Sequence, residues 1–107
     1  MDSYKAIASG FEETIELISM SVDELVPHIE QASEMSSQAL LNERKILACG
    51  NGSGAALAQI FCSNLLHRYE HERPALPAMA LCGDASTLSA IAASSGGSEI
   101  YAKQVRA

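Results

Sequence analysis

The sequence predicts an α/β fold in which N-terminal helices are followed by the βαβα portion of a doubly wound parallel sheet. Three observations carry this prediction. Apolar residues recur with a helical period from Tyr4 to Ala39. The period then gives way to two short, nearly continuous apolar runs, Lys45-Ile46-Leu47-Ala48-Cys49 and Ala78-Met79-Ala80-Leu81-Cys82, as in strands buried on both faces of a parallel sheet. Each run ends in a turn-forming cluster and leads into another helical stretch, so the order reads helix, helix, βαβα.

Taken in order, Tyr4, Ile7, Phe11, Ile15 and Ile18 form one stripe of a first helix. Ser21-Val22-Asp23-Glu24 has the Ser-x-x-Glu form of a capping box and predicts a second helix, with a stripe of Val22, Leu25, Ile29, Ala32, Ser36 and Ala39. Pro27 is expected to kink that helix or mark its true start. After the first strand comes Gly50-Asn51-Gly52-Ser53-Gly54, then a largely apolar helix from Ala55 to about Arg68. Arg73-Pro74 and Pro77 mark a loop before the second strand. Gly83-Asp84-Ala85-Ser86 turns into a helix over about 87–93, Ser94-Ser95-Gly96-Gly97 breaks it, and Ser98 or Glu99 opens a last short helix. Two strands are too few for an open sheet of this class, which needs about two to four more. The chain is therefore expected to be a truncated piece or to be completed by another copy. It divides into a helical oligomerisation segment, 1–43, and a βαβα portion, 44–107, within one partial domain.

Composition narrows the function. The 107 residues carry thirteen acids and seven bases, a net charge of −6. Residues 1–43 hold nine acids and one base, whereas 44–107 are net positive. Direct binding to DNA or RNA is not expected, because it needs clustered Lys and Arg to displace counterions. With no Trp and five aromatics, a base-stacking platform is also disfavoured. No apolar run approaches the ~20 residues of a membrane-spanning helix, and the first residues lack the pattern of a signal peptide. Cys49, Cys62 and Cys82, odd in number and widely spaced, suit reduced thiols in a cytoplasm.

The feature richest in chemistry is the loop Gly50, Asn51, Gly52, Ser53 and Gly54. Glycines let backbone N–H groups approach a ligand, the helix start adds unpaired donors, and Ser53 adds a hydroxyl. The loop is either a phosphate cradle or an ordinary βα turn. Asp84 and Ser86, at the end of the second strand, border the same predicted crevice. They are candidate ligand contacts whose plainer role is to cap the next helix. Gly50-x-Gly52-x-x-Ala55 meets the relaxed dinucleotide fingerprint, but the acid expected about 20 residues on is absent, Asp84 standing too far along the chain. His67-Arg68-Tyr69-Glu70-His71 matches an inverted zincin pattern, although Arg73-Pro74 closes the helix at once.

Cys49-Gly50-Asn51-Gly52-Ser53, then Arg68-Tyr69-x-x-x-Arg73-Pro74-x-x-Pro77-Ala78, then Tyr101-Ala102-Lys103-Gln104-Val105-Arg106-Ala107, together resemble the sugar isomerase (SIS) domain family. The resemblance is to the branch of phosphoheptose isomerase and the DnaA initiator-associating protein, and it covers about the N-terminal half of a typical member. It implies a flavodoxin-like five-stranded parallel sheet, a homotetramer built through the N-terminal helices, and a sugar-phosphate site formed by the glycine loop with a second, Ser-rich loop. Asn51 matches the family loop directly. Ser53 matches approximately, the isomerases' serine falling at the place of Gly54.

The departures bear on chemistry. Isomerases carry His-Phe-x-Glu-Glu-Leu where this chain reads Ile60-Phe61-Cys62-Ser63-Asn64-Leu65, and Asn-Asp where it reads Ala93-Ser94. The resemblance gives the His and second Glu to zinc binding and proton transfer. Ile60 does not ligate a metal, and Asn64 does not accept a proton at neutral pH. No catalytic residue and no zinc or other cofactor is therefore assigned. The expectation is a non-catalytic, oligomeric interaction or regulatory module of sugar-phosphate-binding type, with the replication initiator as a candidate partner. The alternatives are a phosphoheptose isomerase, converting sedoheptulose 7-phosphate to D-glycero-D-manno-heptose 7-phosphate, and a sugar-phosphate sensor without turnover.

Overall fold

The structure is a computed structural model and describes residues 2–107. Helix α1 runs Ser3–Leu41, strand β1 Ile46–Ala48, helix α2 Ser53–Leu66, strand β2 Ala78–Ala80 and helix α3 Ala85–Ser95. A single 3-10 turn, Gly97–Glu99, then leads into helix α4, Ile100–Arg106. One compact unit ends at Ser37, and the second runs Gln38–Ala107.

The N-terminal segment departs from expectation. It is one helix of 39 residues, with Pro27 inside it and no break at Ser21. Ser21 does not cap; its hydroxyl donates to the carbonyl of Leu17 at 2.7 Å, a back-bond available to a serine within a helix. The pattern also explains the continuity. Ile18 to Val22 is a step of four, so the two stripes are in phase and form a single seam. That seam is uncovered: Tyr4, Ile7, Phe11, Ile15, Ile18, Val22, Leu25 and Ile29 are all exposed. At the C-terminal end Glu43 takes φ 59°, and the N–H of Arg44 returns to the carbonyl of Ala39 at 2.8 Å, closing the last turn before the chain enters β1.

The second unit is built on a parallel pair, with Ile46 opposite Ala78, Leu47 opposite Met79 and Ala48 opposite Ala80. The flanking bonds from the N–H of Ile46 to the carbonyl of Pro77 and from the N–H of Leu81 to the carbonyl of Ala48 extend the ladder at both ends. Helix α2 connects the strands and lays its small residues on them. Ala58 and Cys62, one turn apart, are buried with Leu81. Leu57, Ile60 and Phe61, elsewhere on α2, remain exposed. Burying Leu81 contributes about 2 kcal/mol, and the alanine and cysteine contribute less. Desolvation of Cys62, with a smaller effect from nearby Cys82, pushes its thiol pKa up and keeps it neutral.

Helix α2 ends against Arg73. The guanidinium donates to the carbonyl of Asn64 at 2.6 Å and to that of Leu65 at 2.8 Å, satisfying acceptors that a helix C-terminus leaves open and placing a cation at its negative end. Among the described residues no helix is long and apolar enough to cross a membrane.

An interior proline removes one helical hydrogen bond and crowds the preceding turn. Replacing Pro27 by alanine is expected to stabilise α1 by roughly 1–3 kcal/mol. Urea unfolding followed by far-UV circular dichroism measures this; an unchanged or lower midpoint would show that the proline is needed where it stands.

Candidate functional site

The end of β1 sets the site. The chain leaves the sheet at Cys49 and must reverse into α2 by Ser53. Two glycines make this possible. A Cβ on Gly50 would overlap the carbonyl group of Gly54 and stand 2.9 Å from the nitrogen of Ala55, so the first turn of α2 rests directly on this residue. Gly52 has φ 57° and ψ −122°, a backbone region that a side chain disfavours.

The turn leaves donors free. The N–H of Gly54 bonds the carbonyl of Asn51 at 2.9 Å, and that of Ala55 bonds Gly52 at 3.1 Å. The N–H groups of Asn51, Gly52 and Ser53 find no acceptor among the described residues. Gly52 occupies the N-cap position and offers no side chain to satisfy them. Asn51, Gly52 and Ser53 are exposed, Gly50 and Gly54 partly so. The result is an open cluster of N–H groups at the positive end of α2, suited to an anion.

The neighbouring strand ends differently. Asp84 caps α3: one carboxylate oxygen accepts from the N–H of Ser86 at 3.1 Å and of Thr87 at 3.3 Å, and the other from the hydroxyl of Thr87 at 2.7 Å. The hydroxyl of Thr87, then its N–H, hold the Asp84 carboxyl below its usual pKa. Asp84 is thus an engaged, charged cap. Ser86 donates its N–H to the same cap.

On α2, Ala56, Gln59, Ile60, Ser63 and Asn64 line one open groove of about 370 Å³. None of the five side chains titrates near neutral pH or is a strong metal ligand. This donor set does not fit zinc, and among the described residues no three of His, Cys, Asp and Glu form a metal cluster. The His67 to His71 pattern does not share a helical face either. The helix stops at Leu66, Glu70 adopts φ 61°, and Tyr69 pairs with His71 in an isolated bridge.

Two contacts were not anticipated from the sequence. Tyr101 Oη lies 2.6 Å from the carbonyl oxygen of Gly50 and 2.8 Å from Asn51 Oδ1. Gln104 Nε2 donates to the carbonyl of Leu81 at 2.9 Å. These residues stand three apart on α4, on one helical face, and tie it to both strand ends. Nothing in their spacing on α4 announces the distant partners.

A parallel sheet whose first strand turns through a glycine loop into a helix defines an α/β domain with a crevice at the strands' carboxyl ends. The SIS domain family matches residues 11–107, and the chain belongs to that family. It is 48% identical over 105 residues to a phosphoheptose isomerase of Coxiella burnetii (strain RSA 331 / Henzerling II), covering 98% of this chain and 53% of that protein. Among solved structures, a phosphoheptose isomerase from Francisella tularensis superposes with a TM-score of 0.93 at 45% identity, over all of this chain and 56% of that one. Phosphoheptose isomerase GmhA from Neisseria gonorrhoeae gives 0.88 at 38% identity, over 96% of this chain and 53% of that one. The chain spans about half the length of these relatives.

Gly50→Ala tests the close packing of the turn. The added methyl must displace backbone, so the variant is expected to lose about 1–3 kcal/mol of stability. Denaturant titration measures this. A wild-type midpoint would mean that the turn has room to open.

Proposed function

We propose that this chain supplies the sugar-phosphate-binding half of a phosphoheptose isomerase-type protein, whose substrate is sedoheptulose 7-phosphate and whose product is D-glycero-D-manno-heptose 7-phosphate. The observation that carries this reading is the set of free N–H groups of Asn51, Gly52 and Ser53 at the end of β1 and the start of α2, a setting that favours an anion. Similarity to proteins named phosphoheptose isomerase supports it, and favours it over a purely regulatory module. In this reading Gly50 to Gly54 hold the phosphate. Asp84 shapes the crevice as a cap rather than as a phosphate contact, since its charge repels an anion, and Ser86 lies beside it. The reduced thiols favour a cytoplasmic setting.

A second reading is favoured by the groove at Ile60 and Asn64. Ketose–aldose isomerisation moves a proton between adjacent carbons and needs a base within hydrogen-bond reach. The groove provides none, so residues 1–107 bind and orient while turnover depends on groups outside them. Without such groups the protein is a sugar-phosphate sensor or an oligomeric regulatory module, with a protein partner such as the replication initiator.

One experiment separates these readings. The intact protein is titrated with sedoheptulose 7-phosphate by calorimetry, and heptose phosphate is assayed in parallel, with and without added zinc. Binding with turnover supports the isomerase; binding without turnover supports the sensor or module. Absence of binding at millimolar ligand overturns both sugar-phosphate readings.

The exposed seam of α1 supports assembly into a homo-oligomer, with a tetramer as the expected state. Ile15→Asp places a charge in that seam, and desolvating an unpaired carboxylate is costly. The variant is expected to dissociate into smaller species by light scattering at micromolar concentration. An unchanged mass would place the interface elsewhere.

A further inference from the structure

Tyr101 presents a problem of proton count. Its hydroxyl oxygen lies 2.6 Å from the carbonyl oxygen of Gly50 and 2.8 Å from Asn51 Oδ1. A phenol has one proton to donate, and neither of those oxygens has any. Two acceptors cannot both be served, and an unserved oxygen at 2.8 Å would repel. The assignment of oxygen and nitrogen within an asparagine amide is set by its hydrogen bonds. With the shorter contact taken as the donated one, Tyr101 gives its proton to Gly50. The contact to Asn51 is then made by the amide nitrogen, donating to the free lone pair of the phenol oxygen.

We infer that Tyr101 is a positioning residue which turns the Asn51 amide so that Nδ2 faces the phenol and Oδ1 faces the ligand crevice as a hydrogen-bond acceptor. This rests on the proposed sugar-phosphate site. It adds to it a division of labour: an outward Oδ1 takes a hydroxyl of the sugar, whereas the loop N–H groups take phosphate oxygens. The tyrosine reaches the loop from 50 residues away in sequence and is held there by its own helix. Gln104, one turn on, donates from Nε2 to the carbonyl of Leu81 at 2.9 Å and of Ile100 at 3.0 Å. Partial burial, with Cys82 and Cys49 nearby, pushes the Tyr101 pKa up, so the phenol keeps its proton and remains a donor at neutral pH.

The test is Tyr101→Phe, which keeps the ring and removes the oxygen. In the intact protein labelled with 15N-asparagine, the side-chain amide signals of Asn51 are identified by their loss in Asn51→Asp. The two Asn51 amide protons are expected to be well separated in the wild type and to converge in Tyr101→Phe. Affinity for sedoheptulose 7-phosphate is expected to fall on the order of fivefold, as for one neutral hydrogen bond, while affinity for inorganic phosphate stays within about twofold. Identical Asn51 amide signals in both proteins overturn the inference. So does an equal loss of affinity for both ligands, which would show that the hydroxyl supports the loop as a whole. If the amide responds but neither ligand binds the wild type, the amide orientation stands and the sugar-phosphate reading fails.

Discussion

The contact on which the second unit depends is the seating of the first turn of α2 against Gly50. There the backbone of Gly54 and Ala55 occupies the space a side chain would need. Because the turn is this tight, α2 starts only a few residues beyond β1, and the N–H groups of Asn51, Gly52 and Ser53 are left without acceptors. The two strands are only three residues each. Their relative position is then maintained from the carboxyl edge, where α4 grips β1 through Tyr101 and β2 through Gln104. Two long-range contacts of this unit, both made by the Tyr101 hydroxyl, end on the candidate site.

Burial tells a complementary story. Ala58, Cys62 and Leu81 are the buried apolar residues, while most large apolar side chains stand exposed on α1 and α2. Globular proteins do expose apolar atoms, but a contiguous helical stripe of Ile, Phe, Val and Leu is the mark of an interaction surface. The acidic residues of α1 fall outside that seam and leave it apolar.

The chemistry divides at α2. Its N-terminus carries N–H groups without acceptors, and the groove on its middle turns, with Ile60 and Asn64, holds no titratable side chain. Binding and proton transfer make separate demands: the first needs oriented donors, the second a group that changes protonation near neutral pH. The loop N–H groups depend on the glycines at 50 and 52 that shape the turn, whereas a base depends on a titratable side chain.

Much of the fold was legible in the amino-acid order, because it rests on local rules. The change from helical period to short apolar runs located β1 and β2 to within a residue or two. The glycines placed the turn, and Asp84 was readable as a cap because its carboxylate needs only the next three residues. The α1 break at Ser21 was misread for a local reason too: a serine hydroxyl serves equally as a cap or as a back-bond to Leu17, and only the phase of the stripe from Ile18 to Val22 separates the two. Residue types alone also determined that positions 60 and 64 carry neither a metal ligand nor a base. Tertiary structure decided what depends on distant partners. It brought Tyr101 to Gly50 and Asn51, Gln104 to Leu81 and Arg73 to the end of α2, and turned small residues of α2 inward while Leu57, Ile60 and Phe61 faced out. These follow from how the chain closes on itself: a hydrogen bond between residues 50 apart has no period or spacing to announce it.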